Sequence, residues 1–106
     1  MGLPVGLVLE GRMLDLSGGG TCGRFQSPIP QGHKLSVNFD LPGTPLRGIL
    51  SEVIRMATSR RSGREDFEHN IKFTGIDTLI QEKIVRYIFE KQRLDNQTRG
   101  AREAEE

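Results

Sequence analysis

An acidic residue, a hydroxyl and a glycine stand at fixed offsets in the run Arg12-Met-Leu-Asp15-Leu-Ser17-Gly-Gly-Gly20. They are Asp15, Ser17 and Gly20. An ionised carboxylate accepts hydrogen bonds only, while a hydroxyl both donates and accepts. Residues i and i+2 of a strand share a face, so Asp15 and Ser17 look out together. The glycines let the backbone turn sharply and let a ligand come close. Such a set suits the N1–H and N2–H2 edge of a guanine. Asp and Ser beside glycines are also ordinary turn formers that bond their own backbone. These six positions by themselves leave both readings open.

Other chemistry is poorly supported. Gly18-Gly-Gly20-Thr-Cys-Gly23 is a literal G-x-G-x-x-G after a strand. The following Arg24-Phe-Gln-Ser-Pro-Ile-Pro cannot open a helix, so a dinucleotide fold is rejected. No Walker-type lysine is present. His33 and His69 are far apart, and no Cys/His/carboxylate cluster has metal-ligand spacing. His69 sits on the apolar side of an alternating segment and reads as a core histidine. Cys22 reads as a small buried hydrophobe. No nucleophile–base pair can be assembled. The residues describe a binding module, not an enzyme, with neither metal nor cofactor.

The elements that must position Asp15 and Ser17 are mostly strands. Residues 5–9 and Arg12–Leu16 are short apolar runs that predict a hairpin. Residues 22–25 predict a third short strand. Lys34–Leu41 alternates cleanly, as a half-buried strand does. Residues 46–56 predict a long strand whose alternation breaks near Ser51-Glu52, which a bulge explains. Residues 57–65 are polar and basic, a hairpin tip, and 66–73 alternate again. Such spacing predicts a small antiparallel barrel. The period then changes: Ile76, Ile80, Ile84, Tyr87 and Ile88 form one helical stripe. Thr78 and Gln81 predict a capping box, with a helix over 78–93 plugging one end of the barrel. Residues 95–106 are polar throughout and predict a disordered tail.

Bulk numbers narrow the class. The 106 residues fit one small domain, and a net charge of +1 gives no field for general nucleic-acid binding. The single cysteine forms no internal disulfide and fits a reducing compartment, so a cytoplasmic location is expected. No apolar run approaches the ~20 residues that span a bilayer.

Nearly the whole chain before the tail resembles a PilZ domain, the bacterial receptor module for cyclic di-GMP. The resemblance runs through Leu3-Pro4-Val5, Met13-Leu14-Asp15-Leu16-Ser17-Gly18-Gly19-Gly20 and Gly32-His33-Lys34-Leu35-Ser36-Val37-Asn38-Phe39-Asp40-Leu41-Pro42. It continues through residues 46–56, Ile71-Lys72-Phe73 and the terminal helix. The D-x-S-x-x-G element is its specific part. The resemblance implies a mainly β fold: a six-stranded antiparallel barrel followed by a C-terminal helix, spanning residues 3–94. It implies that Asp15 accepts from a guanine edge, that Ser17 bonds base or phosphate, and that Gly20 permits close approach. A later strand also nears the ligand in the family. Here that strand offers Asn70, where a small residue is usual, and Lys72 as an outward cation.

PilZ receptors carry a second motif, R-x-x-x-R, ahead of the first strand, whose guanidinium groups grip phosphate. This sequence begins directly before Leu3-Pro4-Val5 and holds no such motif there. The arginine half is expected to be absent, so binding by this chain is expected to be weak or lost. The intact Asp15, Ser17 and Gly20 favour a chain cut just after that segment over a divergent domain. The literal match Arg60-Arg61-Ser-Gly-Arg64 falls in a hairpin tip and reads as solvated charge. The expected function is a cyclic di-GMP receptor or effector controlling motility, exopolysaccharide or attachment through a protein partner or neighbouring domain. The alternative is a nucleotide-independent protein-interaction module.

Overall fold

The computed structural model describes the backbone of residues 8–61 and 63–105, and the side chains of 8–60 and 63–95. Five strands and one helix follow in order: β1 (Arg12–Leu16), β2 (Gly20–Phe25), β3 (Lys34–Leu41), β4 (Thr44–Arg61), β5 (Arg64–Gly75) and α1 (Thr78–Glu105). All pairings are antiparallel and the sheet order is β1-β2-β5-β4-β3. The sheet is mainly β architecture curled into a half-barrel, with β1 and β3 as its two edges.

The expected six-stranded closed barrel is therefore not what the described residues form. No ladder joins β1 to β3, so the sheet keeps both edges. The strand expected over residues 5–9 falls mostly outside the described residues. Val8 and Leu9 lie within them and form no strand, although Leu9 packs on the core. The first hairpin instead joins β1 to β2, and its turn is the Ser17–Gly20 segment itself.

Alternation dictates the core. On β5, His69, Ile71 and Phe73 are buried while Asn70 and Lys72 are exposed. The inward side chains form two apolar clusters. One joins Leu41, Leu46, Ile49 and Phe73 to Ile84 of the helix, with Ile76, Ile80, Tyr87 and Ile88 packed around it. This is the expected helical stripe. Full burial of a side chain such as Ile84 contributes roughly 1.5–3 kcal/mol. The other cluster joins Ile29, Val53 and Ile71 to Phe25, Leu35, Val37 and Met56.

His69 is buried, as a core histidine should be. Its Nε2 accepts the backbone N–H of Ile29 at 2.9 Å, so the neutral ring carries its proton on Nδ1. The ring meets Phe25 edge-on, 5.3 Å between centroids. Burial pulls its pKa below the usual histidine value, and the backbone of Phe67 and Gly23 opposes this less strongly.

Two helix expectations change. The N-cap is Asp77, whose Oδ1 accepts the Leu79 N–H at 2.9 Å. Gln81, expected to close a capping box with Thr78, instead sends its side-chain amide to the Gly18 carbonyl at 3.1 Å. The helix also continues past the expected end at Arg93 to Glu105. Residues 95–105, expected as a disordered tail, are thus helical in backbone.

Candidate functional site

The D-x-S-x-x-G element is a braced hairpin turn. The Ser17 N–H donates to the Gly20 carbonyl at 2.8 Å, and its hydroxyl donates to the same oxygen at 3.2 Å. That hydroxyl also accepts the Gly19 N–H at 3.3 Å. Asp15 Oδ1 accepts the Leu16 N–H at 2.9 Å. Thr21 ties the hairpin across, its hydroxyl donating to the Asp15 carbonyl at 2.7 Å. The turn-forming roles anticipated for Asp and Ser beside glycines are thus real. They do not exhaust either side chain. A carboxylate has about four lone-pair sites, so Asp15 retains acceptors for a second partner. Ser17 keeps one lone pair.

The turn is held from two further sides. The Phe73 N–H donates to the Gly19 carbonyl at 2.9 Å. Gln81 holds Gly18, against which Val85 also lies. Gly20 must be glycine for a local reason: a Cβ there would collide with the Ile71 carbonyl oxygen. The close approach it permits is first that of β5, before any ligand.

Asp15, Ser17, Gly20, Asn70 and Lys72 all line one open depression of about 270 Å³. Strand register explains the convergence. Asp15 pairs with Cys22, Cys22 with Asn70, and Gly20 with Lys72. Directly paired residues share a face of the sheet. Sequence reasoning missed Thr21 and Ile54, which also line it. Ile54 could have been found from the alternation of β4, since it follows the buried Val53 and so faces outward. Cys22, expected as a buried hydrophobe, is half-buried at the floor of the depression. Burial first, then the carboxylates of Glu68 and Asp15, raise its pKa; Arg24 opposes them. The thiol therefore ionises less readily than an ordinary cysteine.

Beyond this floor, Arg24 is bound to Glu68 at 2.9 Å with its side chain only 13% exposed. Among the described residues no group of His, Cys, Asp and Glu is placed to hold a metal ion. Nor is any helix long and apolar enough to cross a membrane.

The D-x-S-x-x-G turn thus lies on a curled antiparallel sheet against which the C-terminal helix packs. The family model of the PilZ domain matches residues 4–90. The chain belongs to the PilZ family. Comparison with curated proteins and with solved structures yields no match. PilZ domains are bacterial modules of the cyclic di-GMP receptor family and act as ligand-binding adaptors rather than as an enzyme family. In this PilZ domain the D-x-S-x-x-G element is the β1–β2 turn, and the helix grips it through Gln81 and Val85.

Proposed function

We propose that this PilZ domain is a cyclic di-GMP receptor whose guanine edge is taken by Asp15 and Ser17. Asn70 and Lys72 complete the site from β5, and Gly20 keeps the turn flat enough for a base to approach. The observation that carries this reading is the convergence of residues from three strand segments on one depression beside a braced turn. About 270 Å³ lies just below the roughly 300–1,000 Å³ of small-molecule pockets, which is room for a base. The ligand would act on the neighbouring helix through Gly18 and Gln81, and so on a protein partner or adjoining domain. Regulation of motility, exopolysaccharide or attachment in the bacterial cytoplasm is the output that we attach to it.

One observation favours a second reading. Asp15 and Ser17 both already bond the turn backbone. A nucleotide-independent interaction module would need them for that alone.

Calorimetric titration of cyclic di-GMP into the chain separates the two. A hydrogen bond to a charged group is worth ~1.5–3 kcal/mol, so Asp15→Ala should weaken binding about 10- to 100-fold. Its denaturation midpoint should stay close to that of the unaltered chain. Absence of heat at about 100 μM protein even with an R-x-x-x-R segment joined ahead of Leu3, or equal affinity of the variant, refutes the receptor reading. If Asp15→Ala unfolds the sheet, the turn-forming role is the whole role.

A further inference from the structure

A cyclic dinucleotide is larger than the depression that would take its base, so its phosphates must lie over the adjoining sheet face. We infer that Arg55 binds a phosphate of this ligand, at the far end of the cross-strand row that starts at Asp15. This rests on the receptor reading above.

Two bulges make the row. On β1 the register shifts between Met13 and Asp15, so that Asp15, rather than Leu14, stands opposite Cys22. On β4 it shifts between Val53 and Arg55, so that Arg55, rather than Ile54, stands opposite Asn70. Without the second bulge Arg55 would face His69 and point into the core. Bulges are a standard means of re-aiming a side chain beside a site. The outcome is Asp15, Cys22, Asn70 and Arg55 abreast on four strands. Three inter-strand steps span about 14 Å. One end offers an acceptor for a base edge and the other a planar cation suited to bidentate phosphate binding.

The other cations are less free to serve. Arg24 is engaged by Glu68. Lys72 lies opposite the carboxylate-bearing Glu52 in the β4–β5 register. Arg12 shares the row of Arg24 and Glu68, on the side away from Lys72. Arg55 is exposed and, among the described residues, makes no ion pair. Its partner Asn70 is exposed beside it and adds a neutral donor for the same phosphate.

The test is calorimetric titration of cyclic di-GMP into the full chain and into Arg55→Ala, Arg55→Gln, Arg55→Lys and Arg12→Ala, each at three salt concentrations. We expect Arg55→Ala and Arg55→Gln to lose about tenfold or more in affinity, as loss of one charge-assisted contact should. Their salt dependence should become shallower, because one phosphate–cation contact is gone. Arg55→Lys should recover part of the loss, and Arg12→Ala should change affinity by less than about threefold. Binding by the unaltered chain with Arg55→Ala and Arg55→Gln equal to it overturns the inference and leaves the receptor reading standing. An equal loss in Arg12→Ala overturns it too, since diffuse charge would then suffice. No binding by the unaltered chain, even with an R-x-x-x-R segment joined ahead of Leu3, removes the receptor reading and this inference together. The two substitutions at Arg55 guard against a folding artefact, and both should denature as the unaltered chain does.

Discussion

The β4–β5 hairpin presents arginine at two places, and the sheet treats them differently. At Arg55 the hairpin is one end of a four-strand row, with β2 and β1 beyond Asn70. At its tip only two strands remain: β2 pairs no further than Phe67, while β4 and β5 run on to Arg61 and Arg64. An isolated two-stranded ribbon is marginally stable in water. Arg60 and Arg64 satisfy the R-x-x-x-R spacing there, yet both are exposed and neither lines the depression. Five residues of strand, about 17 Å, separate Arg60 from Arg55. Spacing along the chain therefore says little about a cation's use. What matters is whether neighbouring strands bring an acceptor and a floor to the same face.

The largest test of that contrast is at the packed end. Gly20→Ala places a methyl against the Ile71 carbonyl, and neither backbone can yield cheaply. We expect a loss of about 2–3 kcal/mol in urea denaturation. Gly19→Ala, next to it and in open space, should stay within about 0.5 kcal/mol. Equal effects would mean that the turn is no more constrained than the tip.

Next comes the buried ring behind the row. Burial lowers the pKa of His69 in the fold, so the unfolded chain binds the extra proton more readily. The stability that this represents is complete above the unfolded histidine value of about 6.5 and is lost as pH falls through the lower folded value. Denaturation midpoints should drop from pH 7 to 5.5. His69→Gln should cost about 1–3 kcal/mol at pH 7.5 and flatten that slope. An unchanged slope would assign the pH dependence to other groups.

A smaller effect is expected at the brace. Gln81→Leu removes the donor to the Gly18 carbonyl. It should cost about 1 kcal/mol and weaken ligand binding through a looser turn. If binding is unaltered, the helix does not tune the site.

The smallest effect belongs to the tip. Doubly substituting Arg60→Ala and Arg64→Ala should leave stability within about 0.5 kcal/mol and affinity for cyclic di-GMP within about twofold. A tenfold loss would move the phosphate side from the row to the tip.

Much of the architecture is legible in the sequence. Lys34–Leu41 coincides with β3, because clean alternation turns Leu35, Val37, Phe39 and Leu41 to the face that packs on the core. The stripe of Ile76, Ile80, Ile84, Tyr87 and Ile88 reaches the core as its period requires. Asp15, Ser17, Gly20, Asn70 and Lys72, all candidates on sequence grounds, line one depression. Other features were not readable. A closed barrel was expected because strand periodicity records which face is buried, not whether two edges meet. The capping box failed because Thr78 and Gln81 fit the local rule, while Gly18, 63 residues away in sequence, offered Gln81 a better acceptor. Arg55 is not readable because a bulge changes which neighbour a residue faces without changing the sequence around it.

Sequence alone determined the turn. Asp15, Ser17 and the glycines are short-range chemistry, and their bonds to Leu16, Gly19 and Gly20 span at most three residues. Only the tertiary structure decided what that turn sits beside. The reason is register: shifting a strand by one residue exchanges its two faces. Two such shifts, at Met13/Asp15 and Val53/Arg55, bring an acid and an arginine onto one row across four strands.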